Sequence, residues 1–172
     1  RKLVLLAALL LSGGVSDAVA QRAKLSWGPM PDPESAVEVS VDAGVPLAIA
    51  SKDASETELH LRGGLMVVDL RCRLSVENTG PRHVRAVTFG IVAGPVTAGG
   101  KASVSLPSLN VAPGNTFPVN LSLRLIRPMP APSEFVKVSV DGVLFSDFTF
   151  FGPDRLDSRR KMTFWENEAD RD

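Results

Sequence analysis

Three features of the sequence predict an all-β antiparallel sandwich of about seven to nine short strands, with a short helix as the first reading of the C-terminal tail and a terminal strand or disorder as its alternatives. The first is the stretch Leu65 to Pro81. In it Met66, Val68, Leu70, Cys72, Leu74 and Val76 alternate with Val67, Asp69, Arg71, Arg73, Ser75 and Glu77. A period of two sets one group on a buried face and turns the charged group to water. The second is a copy of that pattern, with Phe117, Val119, Leu121, Leu123 and Leu125 alternating with Pro118, Asn120, Ser122, Arg124 and Ile126. The third is the scatter of thirteen prolines and fourteen glycines through 172 residues, which suits many strands joined by tight turns.

Taken in order, the chain opens with Arg1 and Lys2, an apolar run from Leu3 to Leu11, and the small-x-small site Ala18-Val19-Ala20. This is the layout of a secretory signal peptide, residues 1–20, with cleavage expected after Ala20 and an uncleaved anchor as the alternative. The run is too short for an ordinary transmembrane helix. Residues 21–152 are assigned to the sandwich. Lys24 to Trp27 is a short first strand, followed by the proline-rich segment to Pro33. Ala36 to Val41 alternates with Val37, Val39 and Val41 on one face, Ala43-Gly44 turns the chain, and Val45 to Ala50 is a further strand. Ser51 to Glu58 is polar and reads as a solvated loop rather than a calcium loop, because it lacks a recognisable ligand spacing.

Asn78, Gly80 and Pro81 end the central strand. His83 to Ala93 follows, with Val87, Phe89 and Ile91 facing one way; direct pairing through an odd loop would set Arg73 against Val87, a conflict that either a four-residue loop, Thr79 to Arg82, or a crossing to the opposite sheet removes. Lys101 to Leu106 and Leu109 to Val111 are short strands, and Pro113-Gly114-Asn115 is a turn. Pro118 places the next strand at a sheet edge, since it has no N–H to donate. Asp141-Gly142, between Phe135–Val140 and Val143–Ser146, predicts a two-residue hairpin. It would set Val140 against Val143, Val138 against Phe145 and Phe135 against Phe148. In the tail, residues 153–172, Asp157 or Ser158 caps a helix with Met162, Trp165 and Ala169 at helical spacing. Its basic start and acidic end oppose the macrodipole, so the helix needs Met162, Phe164 and Trp165 buried against the sandwich or a partner.

Nineteen basic and nineteen acidic residues leave no net charge and no long-range field to gather nucleic acid or an anionic surface. Cys72 is the only cysteine, so no intrachain disulfide forms, and its place in the alternation makes it a core side chain. His60 and His83 are the only histidines. No Gly-x-Ser-x-Gly elbow, zinc spacing or phosphate-binding glycine loop accompanies them, so no catalytic, cofactor or metal residue is assigned. The acidic pairs Glu56 with Glu58 and Asp141 with Asp147 read as solvated groups. Asn120-Leu121-Ser122 fits a glycosylation acceptor in a eukaryotic source. The outward arginines, Arg71 and Arg73 among them, belong to solubility, edge protection or a partner surface.

Val76, Asn78 and Gly80 followed by Val111, Pro113 and Gly114 resemble the strand-end and turn elements of exported bacterial modules with an immunoglobulin-like or fibronectin-like sandwich. The resemblance is closest to the adhesion-type modules called CARDB and covers roughly Leu65 to Arg127. It implies an immunoglobulin-like fold with a binding or spacer role and no catalytic residues. The expectation is a non-catalytic exported protein, periplasmic or at the cell surface, that contacts another envelope protein. Its contact is a strand edge or the tail, with Met162, Phe164, Trp165, Arg71 and Arg73 as candidates. Nucleic acid is not expected as a partner, and membrane only through an uncleaved signal segment. The alternatives are a small exported hydrolase or ligand-binding protein using His60 or His83, and an accessory subunit of a larger envelope complex.

Overall fold

The computed structural model describes residues 32–93, 101–128 and 136–171. The expected signal peptide, the Lys24–Trp27 strand and Phe135 lie outside them. After one helical turn, α1 (Pro33–Ala36), the chain runs β1 (Val37–Ser40), β2 (Leu47–Asp53), β3 (Glu58–Arg62), β4 (Leu65–Asn78), β5 (Val84–Val92) and β6 (Lys101–Leu106). It continues as β7 (Thr116–Pro128), β8 (Val136–Phe145), β9 (Phe150–Phe151) and α2 (Ser158–Ala169). The strands form two sheets. One has β1, β8, β5 and β6 in that order with β9 also on β8; in the other, β4 lies between β7 and the β2 and β3 pair. All pairs are antiparallel except β1 with β8, which is parallel.

The alternation of β4 is realised in full. Its even residues from Met66 to Val76 are buried, and Arg71 and Arg73 are exposed. They meet Val87, Phe89 and Ile91 of β5 and Val136, Val138 and Val140 of β8 in one core. Between β4 and β5 the chain crosses to the other sheet. The Asn78 side chain, buried at the crossing, donates from Nδ2 to Arg82 O and Val111 O and accepts from the Gly80 N–H. Among the described residues β7 pairs with β4 along one side only, so Pro118 sits on an edge strand of that sheet.

Asp141-Gly142 is not a hairpin. Both residues lie inside the continuous strand β8 and both are buried. The expected turn needs positive φ at its two central residues, and neither residue has it. Thr88 pairs with Gly142 and Phe89 with Val140, leaving Asp141 as the extra residue of a β-bulge. Val140, Val143 and Phe145 therefore share the core face as neighbours along one strand, not across a turn. The two-residue hairpin with positive φ is at Gly63-Gly64, where φ is +58° and +80° and Arg62 pairs with Leu65. Two smaller corrections accompany this. The Ser51–Glu58 stretch is β2 as far as Asp53, and Leu109–Val111 keeps only an isolated bridge, Val84 with Val111.

Candidate functional site

The tail is a helix, packed on the outer face of the β8–β5 sheet, away from the main core. Met162 is fully buried there with Ala86 and Leu144, against Phe148 and Phe150. Phe164 is 62% exposed and Trp165 39% exposed, so of the three apolar residues of the tail only Met162 buries against the sandwich, and the other two are left to the partner branch of that expectation. The buried stripe is Ser158, Met162 and Glu166, spaced four apart. Met162 packs on Ala86, Leu144, Phe148 and Phe150, while Ser158 bonds to Asp141 and Glu166 to Arg85.

Bulge residues secure both ends of the helix. Asp141 accepts hydrogen bonds from the N–H groups of Arg155 and Leu156 at 2.9 and 3.2 Å and from the Ser158 hydroxyl. Asp157, at the N-cap position in a left-handed conformation, makes no capping bond; Asp154 accepts from the Arg159 N–H at 2.9 Å instead. At the other end Arg85 donates to the buried Glu166 at 2.7 Å and also to Asp170. Glu166 also accepts from the Ser108 N–H at 2.6 Å. These bonds, to Glu166 first and then Asp170, hold the guanidinium above its ordinary value. Val84 pairs with Phe145 and Ala86 with Leu144, so Arg85 is itself the extra residue of a second bulge. Bulges re-aim side chains that strict alternation would place elsewhere.

Placed this way, α2 leaves a groove of about 390 Å³ between itself and β6. Its floor is Thr88, Ser103 and Ser105, and its helical side is Leu156, Lys161 and Trp165. Thr88 and Ser105 are hydrogen-bonded at 2.9 Å across the β5–β6 pair, and the Lys161 ammonium donates to the Leu156 carbonyl at 2.7 Å. Among the described residues β6 pairs only with β5, leaving its other edge open. From Ala102 to Leu106 it carries neither a charge nor a proline.

The five candidate contact residues do not converge. Trp165 lines the groove and Phe164 is exposed nearby on the helix, while Met162 is structural. Arg71 and Arg73 lie on the outer face of the other sheet, across the molecule. Arg73 is engaged by Glu56 at 2.6 Å and Asp53 at 3.7 Å, so these acids serve an ion pair. Sequence reasoning missed Ser103, Ser105 and Lys161. Their only sign was a strand edge with no charge after Lys101.

Neither histidine is arranged for nucleophilic catalysis. His60 Nε2 is 3.0 Å from Glu58 and 3.7 Å from Asp69, and His83 Nδ1 is 3.0 Å from the Asn110 amide oxygen. Among the described residues no hydroxyl or thiol is hydrogen-bonded to either ring. Glu58, His60 and Asp69 each bring one donor atom within 4.8 Å of the others. However, Arg124 grips Asp69 with two bonds of 2.5 and 3.0 Å, already supplying the cation that this carboxylate faces. Cys72 is buried, and burial pushes its thiol up to about 11. No described helix is long and apolar enough to cross a membrane. Compared with protein-family models, with curated proteins and with solved structures, the chain returns no match.

Proposed function

We propose that this chain is a non-catalytic, exported, immunoglobulin-like sandwich that holds an envelope or cell-surface protein by adding a partner strand to β6. The observation that carries the reading is the edge of β6, which after Lys101 at its first position has neither a charge nor a proline. Elsewhere the sheets end in strands bearing Lys52 and Asp53, Glu58 and Arg62, Glu38, or Pro118 and Arg124, the devices that deter edge pairing. β6 offers Ala-Ser-Val-Ser-Leu with Ala102, Val104 and Leu106 only half-buried. An added strand would gain main-chain hydrogen bonds along the edge, and its alternate side chains would reach the Trp165–Lys161 side of the groove. Tryptophan is a frequent anchor in such contacts because a large rigid ring loses little freedom on binding.

Removing the tail altogether is a poor test, because Leu144, Phe148 and Phe150 would be uncovered with it. Point variants serve instead. Proteins cross-linked to the wild-type chain in its native envelope are compared with those cross-linked to Ser103→Lys/Trp165→Ala and to Arg71→Ala/Arg73→Ala. The reading expects a discrete partner that is lost from the first variant and kept by the second. A partner that survives the groove variant, or no captured protein at all, rejects it.

A further inference from the structure

The opposite end of the molecule carries a second surface of different chemistry. The β3–β4 hairpin ends in Leu61-Arg62-Gly63-Gly64-Leu65. At either glycine an added side-chain carbon would meet nothing within 4 Å among the described residues, so the turn itself is not packed against the described fold. Leu61, Leu65 and Ile126 are 42%, 43% and 39% exposed. They are three of the six large hydrophobic side chains exposed among the described residues, gathered at one end. The register explains the layout. Leu65 and Arg62 share the outermost row, His60, Val67 and Ile126 the next, and Glu58, Asp69 and Arg124 the third. Leu61, paired with Met66, points to the other side of the hairpin. The tip therefore carries an apolar side chain on each face, and a shallow groove of about 750 Å³ runs from Leu61, Leu65, Val67 and Ile126 back to His60, Arg62 and the Asp69–Arg124 pair.

Charge is graded along the same direction. Arg62 has no ion-pair partner among the described residues. The acidic row lies four residues behind Leu65, roughly 14 Å at about 3.4 Å per residue, and Arg124 already answers its Asp69. The end that would arrive first at a surface presents leucines and a free guanidinium, with the carboxylates set back.

We propose that this hairpin tip docks on an anionic lipid surface, with Leu61, Leu65 and Ile126 entering the interfacial zone and Arg62 on lipid phosphates. Apolar side chains on both faces of a narrow projection suit immersion in a medium, whereas a protein partner of ordinary shape would cover one face. The neutral chain provides no long-range attraction, so the contact depends on the tip itself.

The test uses the full chain with Leu65→Cys carrying an environment-sensitive NBD dye, a position that reports the tip whatever the N-terminal apolar run does. Vesicles of phosphatidylglycerol and phosphatidylcholine should blue-shift and brighten the dye, and pure phosphatidylcholine should do so much less. Adding Leu61→Asp and Arg62→Glu to the labelled chain should weaken the response at least about tenfold. A dye that ignores both vesicles overturns the proposal. So does a response that persists in the doubly substituted chain, which would place attachment elsewhere. A vesicle-independent shift that grows with protein concentration would assign the tip to a second copy or a protein partner instead.

Discussion

Asp141 is buried, charged and surrounded by donors, and the helix start depends on it. Replacing it with Asn keeps the shape but loses the charge-assisted bonds to Arg155, Leu156 and Ser158. A loss of about 2–3 kcal/mol is expected in urea unfolding. Gly142→Ala should cost about 1–3 kcal/mol by overpacking, since an added Cβ would run into the Phe150 ring. Cys72 gives a pH signature. Its folded pKa, about 11, is raised above the ordinary thiol value, so the folded chain keeps a proton that the unfolded chain has released. The associated stability is fully present below the unfolded thiol value of about 8.5 and is lost as pH rises toward the folded value. The melting temperatures of wild type and Cys72→Ala should accordingly draw together between pH 9 and pH 11, and thiol reagents should label only unfolded protein at pH 7. Asp69 is shifted the other way, below the ordinary carboxylate range, chiefly by the Arg124 hydrogen bond. Its contribution is present above the ordinary value and fades as pH falls through the lowered one. In Arg124→Gln an NMR titration should show the Asp69 midpoint moving back up.

At the scale of elements, α2 is held by one thioether and two polar clamps rather than by its aromatic rings. Met162→Ala should cost about 2–4 kcal/mol, while Phe164→Ala should stay within about 0.5 kcal/mol, both read by urea unfolding. Equal losses at the two positions would contradict the packing described. Glu166→Gln leaves Arg85 without its buried counter-charge and should cost about 3 kcal/mol. The double change Arg85→Met/Glu166→Met should recover part of that, because removing both partners leaves no lone buried charge. Both clamps come from bulges, so the irregularities of β5 and β8 and the position of α2 are one device. The groove beside Trp165 exists because the helix is fixed where those bulges put it.

For the whole molecule, three layers follow from these parts: the β4 sheet, the β8–β5 sheet and the helix over its outer face. The two outer surfaces differ, one a groove beside an open strand edge, the other a charged sheet face ending in an apolar hairpin tip. Much of this was legible in the sequence. The period of two in Leu65–Asn78 and Phe117–Leu125 requires half-buried strands, and burial of one parity requires a sheet to cover them. Met162, Trp165 and Ala169 at helical spacing predict a helix in the tail, and its charge order means that such a helix must dock. Val67 and Ile126 stand on the water-facing parity of their strands, but that alternation alone did not bring them together; the β4–β7 register does. What tertiary structure alone decided is pairing and aim. Asp-Gly favours a turn locally, yet β8 must stay extended to pair with β5 on one side and β1 on the other. Those long-range hydrogen bonds outweigh a local preference and turn the dipeptide into a bulge. Likewise the choice of Met162 over Phe164 and Trp165 depends on the shape of a surface assembled from strands distant in sequence. Alternation states which side of a strand is buried; only the packed sheets state what lies against it.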